Sequence, residues 1–123
     1  MIRTIAICLV VALLFAACKK TNTNNNTTIV EYQVTTTNSS NIDILYNNIV
    51  GNKIPASAKT SWAFDISGPT KPFTAYIQAS SSSPFTSITT TCTVNILVNG
   101  SVVKTTTVSS NTVAVAEAEY IVQ

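Results

Sequence analysis

Few groups in this chain of 123 residues could do chemistry: the cysteines at 8, 18 and 92, five scattered carboxylates, and the aromatic rings. No histidine is present, so the commonest general base is missing. Glu31, Asp43, Asp65, Glu117 and Glu119 fall in separate extended segments except for the last two. Glu117 and Glu119, two residues apart, share one face of a strand. Two carboxylates fall short of the roughly six to eight oxygen ligands that calcium takes. A solvated strand face, whose charges blunt an exposed sheet edge, suits them better. The pattern predicts no catalytic centre, no cofactor and no metal. Cys18 is different, because it stands between Phe15-Ala16-Ala17 and Lys19-Lys20, directly after a long apolar run.

That run extends from Ile5 to Ala17, behind the short basic start Met1-Ile2-Arg3. Its thirteen residues would make a helix of roughly 20 Å, short of a bilayer core of roughly 30 Å. The length fits a secretory signal rather than a permanent span. Phe15-Ala16-Ala17-Cys18 resembles the lipobox of bacterial lipoproteins, with phenylalanine where leucine is usual. The resemblance implies a signal peptide over residues 1–17, cleavage before Cys18, and acylation of its sulfur and of the new amino terminus, palmitate included. The bland alternative is an ordinary signal cut after Ala17, with Cys18 incidental. Each buried methylene of an acyl chain contributes about 0.8 kcal/mol, so two or three chains would hold the protein to the membrane permanently. Lys19 and Lys20 would meet the headgroups, each adding about 1 kcal/mol toward anionic lipid, or would simply be solvated. No aspartate and no acidic cluster follows Cys18, so the expected location is the outer membrane, facing the periplasm, with exposure at the cell surface as the alternative.

Residues 18–28, with "TNTNNNTT" at 21–28, are polar and low in complexity. Such a segment buries too little apolar surface to offset its ordering entropy, and it reads as a flexible tether. The ten residues from Lys19 to Thr28 give a root-mean-square reach of about 16–19 Å.

The folded domain is expected over residues 29–123. The chain holds 20 threonines against three glycines, and β-branched side chains fit a pleated surface better than a helix. Apolar residues alternate with polar ones along Val30–Val34, Ile42–Tyr46, Trp62–Ile66, Phe73–Ala79, Cys92–Val98 and Ala114–Val122, which is the half-buried strand pattern. "NNIVGNKIPASAK" reads as a loop with room for a short edge strand, and "ASSSSPFTS" at 79–87 as a polar crossing between sheets. Asn99-Gly100 between two alternating runs predicts a type I′ hairpin. About seven antiparallel strands result, an all-β sandwich. Charged residues are only 10% and the formal net charge is +2, which argues against a nucleic-acid partner.

Several pieces in order, "EYQVTTTNSSNIDILYNN", "SWAF", "FTAYIQAS" and above all "TCTVNILVNGSVVKTT", resemble the mycobacterial small membrane protein family, MmpS. The resemblance implies an immunoglobulin-like β-sandwich and a role as accessory to a polytopic export transporter of the resistance-nodulation-division type. Two departures stand out. Family members hang from an N-terminal transmembrane helix, whereas this chain has a lipobox. Their strand cysteine pairs with one near the C-terminus, where this chain has alanines, glutamates and Tyr120.

Cys92 shares a face with Val94 and Ile96, so it is expected to be buried as a small hydrophobe. Trp62 lies in the stripe with Phe64 and Ile66 and is expected in the core. Tyr76 is out of phase with Phe73, Ala75 and Ile77 and is expected to face outward, as the candidate partner contact. The sequence thus describes a lipid-anchored envelope protein with a binding, non-catalytic sandwich. It serves either a transporter or, as an independent adhesin-like module, some other ligand.

Overall fold

A computed structural model describes residues 27–123. The expected signal, Cys18 and most of the expected tether lie outside the described residues. The alternating segments form β1 (Ile29–Thr37), β2 (Asn41–Asn47), β3 (Lys53–Ala58), β4 (Ser61–Ser67), β5 (Phe73–Ser82), β6 (Thr90–Val98), β7 (Ser101–Ser110) and β8 (Val113–Val122). They make two four-stranded sheets, ordered β4-β1-β6-β7 and β3-β2-β5-β8, and every pairing is antiparallel.

Register places the apolar set of each strand on one face, because side chains alternate with period two. In the first sheet Val30, Tyr32 and Val34 stand opposite Ile66, Phe64 and Trp62 on one flank and Val98, Ile96 and Val94 on the other. In the second, Ile44 and Tyr46 oppose Ala79 and Ile77, which in turn oppose Ala116 and Ala118. These inner faces meet in one hydrophobic core. The core is wedge-shaped. On the β5–β8 side small alanines let the sheets approach until the Cys92 thiol reaches the Ala79 carbonyl at 3.8 Å. On the opposite side the whole Tyr32 ring spans the gap, its hydroxyl donating to the Asn47 carbonyl at 3.0 Å.

Polar groups fasten the sheets at both ends. The Tyr32 hydroxyl also accepts the Tyr76 N–H at 3.3 Å, and the Asn47 amide donates to the Thr74 carbonyl at 2.9 Å. Toward the other end the buried Ser81 and Thr90 hydroxyls meet at 2.6 Å, and Thr90 donates to the Thr37 carbonyl at 3.0 Å. The entry end carries Thr28, the β2–β3 turn, the β4–β5 loop and the β6–β7 turn. The far end carries the β1–β2, β3–β4, β5–β6 and β7–β8 connections. Thr28, the last residue of the expected tether, is buried, and its carbonyl accepts the Gly68 N–H at 2.8 Å.

There are eight strands rather than about seven. The extra one, β3, is an edge strand of mostly small or half-buried residues whose Pro55 lacks an N–H, which only an edge position tolerates. The crossing expected at 79–87 is shorter than its composition suggests, because β5 continues to Ser82, with Ser80–Ser82 paired to Val113–Val115. The Asn99-Gly100 turn is present, with φ of 50° and 83°, the type I′ signature. Nothing lies within 4 Å of a Cβ added at Gly100, so Gly100→Ala acts through the backbone alone. It is expected to cost about 1–2 kcal/mol, read as a lower urea midpoint; an unchanged midpoint would refute that origin.

Candidate functional site

The chemistry-bearing residues occupy three places outside the core. The first is the outer face of the second sheet. Tyr76 projects there, opposite Glu119, while the neighbouring Gln78 opposes Glu117. Outward-facing does not mean free, for Tyr76 is only 8% exposed. Lys53, brought alongside by the edge strand β3, holds its ammonium 4.2 Å from the Tyr76 ring centroid, a cation–π contact. Burial, and then the negative field of Glu117 and Glu119, push the Tyr76 hydroxyl above its ordinary range. The cluster therefore sets a phenol that stays protonated at neutral pH among one lysine and two glutamates. That suits polar recognition.

The second is the lateral edge where β4 lies over β3. The Tyr46 ring packs 5.0 Å from Trp62 and 5.1 Å from Phe64, and Trp62 stacks on Phe64 at 6.0 Å with 9° between planes. Trp62 does pack against the core, as its stripe implies, but it remains half-buried, and Phe64 is 41% exposed. The opposing edge strand offers Ile54, Ala56 and Ala58, side chains too small to cover two large rings. A cleft of about 400 Å³ runs beside Trp62, between Gln33, Thr35 and Ser61.

The third is the entry end. A cleft of about 440 Å³ lies between the β2–β3 turn and the β4–β5 loop, lined by Asn47, Ile49, Val50, Thr70, Pro72 and Phe73 among others. The Asn47 side-chain oxygen is buried without a hydrogen-bond partner.

Cys92 is fully buried and free, and burial pushes its thiol up. It is expected to resist a thiol reagent until the domain unfolds; rapid labelling of the native protein would contradict this. The carboxylates divide between the faces. Glu31 and Asp65 stand opposite each other on the outer face of the first sheet, and Asp43 stands with Glu117 and Glu119 on that of the second. Among the described residues no group of three or more His, Cys, Asp or Glu side chains gathers as a metal site. No described helix is long and apolar enough to cross a membrane.

Tyr76 is where its parity places it, and Cys92 is buried. Cys18 lies outside the described residues. Sequence reasoning missed Lys53 over Tyr76, which depends on the β3–β2 pairing. It also missed the exposed pair Ile49-Val50, whose signal was an apolar dipeptide flanked by asparagines. Compared with known proteins, the chain matches no family model and no curated protein, so the placement of its own side chains carries the functional reading.

Proposed function

We propose that this chain is a cell-envelope lipoprotein held to the bilayer through Cys18, with a sandwich that binds and does not catalyse. Its place is the outer membrane, facing the periplasm, and its role is accessory to a polytopic export transporter of the resistance-nodulation-division type. The observation that carries the anchor is Phe15-Ala16-Ala17-Cys18 after a thirteen-residue apolar run. Support for a binding role is the grouping of Lys53, Tyr76, Glu117 and Glu119 on one outer face, with Tyr76 as the contact residue a partner would reach by displacing Lys53.

The immunoglobulin-like reading has support in the pairing. β1 and β2 follow one another in opposite sheets and pair with β4 and β5, while β8 flanks β5. Strands B, C, E, F and G of that fold are related in the same way. The β6–β7 hairpin beside β1 is a departure. "TCTVNILVNGSVV", the stretch most similar to the MmpS family, covers most of β6, its turn and the start of β7. β8, where that family's second cysteine would fall, presents alanines to the core instead.

Crosslinking in native membranes, followed by mass spectrometry, tests the role. A polytopic transporter joined to residues 29–123 is the expected result, and an intact purified complex without one would overturn it. The second reading, an independent adhesin-like module, draws on the hydroxyl rows of the first sheet's outer face, where Thr93 bonds Thr107 and Thr91 bonds Ser109, each at 2.9 Å. Protease shaving of whole cells would release fragments of a surface module and leave a periplasmic one intact.

A further inference from the structure

The entry end of the sandwich has a property that folding does not require. Its β2–β3 turn, Asn48-Ile49-Val50-Gly51-Asn52, is firmly built. The Asn48 side-chain oxygen accepts the Val50 and Asn52 N–H groups at 3.1 and 3.0 Å. Backbone bonds join Asn48 and Asn52 at 2.8 Å, and Gly51 and Asn48 at 2.9 Å, with Gly51 at φ 82°. Turn tips ordinarily carry Gly, Asn, Asp or Ser. Here the tip carries Ile49 and Val50, which are 48% and 72% exposed. Ile29 at the start of β1 and Val102 after the β6–β7 turn are exposed at the same end. The far-end connections are mostly Ser, Thr, Asn and Lys, with Phe85 exposed among them and Val113 exposed at the start of β8, neither on a turn braced like this one. Single exposed apolar residues are ordinary, but a group on a rigid projection marks a contact surface.

The chain itself says what that surface meets. Eight residues, 19–26, separate Cys18 from Thr27, and the stretch spans about 30 Å at full extension. β1 alone, with nine residues, is about as long. At a root-mean-square reach of about 16–19 Å, an anchor at Cys18 keeps this end of the domain nearer the bilayer than the other. Lys71 lies in the β4–β5 loop, with Lys19 and Lys20 in the connecting segment, while Lys53 is held over Tyr76. Glu31, Asp65 and Glu119 stand on the outer sheet faces.

We infer that Ile49 and Val50, with Ile29 and Val102 at the same end, seat the entry end of the sandwich in the headgroup layer of an anionic phospholipid bilayer. The domain then stands in one orientation, with its far end directed away from the membrane. This rests on the Cys18 anchor proposed above. Apolar side chains enter the headgroup and acyl boundary while lysines meet anionic lipid, the usual division of labour at a membrane surface.

The test uses the full-length lipidated protein in vesicles of phosphatidylcholine and phosphatidylglycerol. Cys92 is buried and Cys18 is acylated, so Val50→Cys and Ser39→Cys each add one site for an environment-sensitive fluorophore. Expected is flotation with the vesicles, blue-shifted emission at 50 that is quenched by nitroxide-labelled lipid, and neither effect at 39. Ile49→Asp, added to the Val50→Cys protein, should abolish the quenching while flotation persists. A protein that floats with position 50 no more quenched than position 39 overturns the seating and leaves the anchor standing. A protein that does not float overturns the anchor, and the seating with it.

Discussion

Removing one hydroxyl, by Tyr32→Phe, is expected to cost the domain about 1–3 kcal/mol, the price of leaving a buried donor or acceptor unmatched. The β2–β5 ladder opens beyond Tyr46 and Ile77, and the Tyr32 hydroxyl fills the opening, donating to the Asn47 carbonyl and accepting the Tyr76 N–H. Tyr32→Ala also empties the thick side of the core and is expected to cost about 3–5 kcal/mol, a large share of the roughly 5–15 kcal/mol that holds a domain together. The same hydroxyl makes stability depend on alkali. Burial, opposed by the Tyr76 N–H bond, pushes its pKa from 10.0 up to about 12. The folded state therefore holds this proton more tightly than the unfolded chain does. The contribution is complete below pH 10 and disappears between about pH 10 and 12, amounting to about 2–3 kcal/mol. Cys92, raised in the same direction from 9.0, begins its own loss at lower pH. Urea midpoints measured from pH 7 to 12 should fall steeply above 10 in the wild type and more gently in Tyr32→Phe. Equal slopes in that window would assign the alkaline loss to another group.

Cys18→Ala is expected to move the domain from the membrane fraction to the soluble fraction completely, without changing its urea midpoint. Retention scales with acyl methylenes at about 0.8 kcal/mol each, so losing the chains leaves only the seating of Ile49 and Val50, too small an apolar area to hold the protein through washing. The fold should be indifferent, because residue 18 precedes every strand. Fractionation of cells expressing the variant decides the matter: a domain still in carbonate-washed membranes would show that another group anchors it.

The strands that alternate cleanly, such as Val30–Val34 and Cys92–Val98, were legible because their inner residues are apolar without exception. β3 was faint because Lys53–Ala58 mixes a proline and a serine with small residues and covers little. The end of β5 was hidden by serines. Ser81 is fully buried, but its hydroxyl is satisfied by Thr90 across the sheets, and hydrophobic periodicity cannot register a burial made good by a hydrogen bond. The parity of Tyr76 was readable from its neighbours. Its cover was not, because Lys53 reaches it from a strand more than twenty residues earlier. The half-exposure of Trp62 depends on how small the side chains of the opposing edge strand are, a property of packing between sheets. The anchor proposed at Cys18 is the reverse case, because it rests on the sequence alone.

The first strand, next in sequence to the proposed anchor, is one of the four held on both sides. β1 is bonded to β4 over seven residue pairs and to β6 over eight. A pull transmitted from the membrane enters along the axis of β1 and loads both ladders in shear, so many bonds share the force together instead of opening one after another. The arrangement suits a domain that must keep its shape under a load applied at its amino-terminal end.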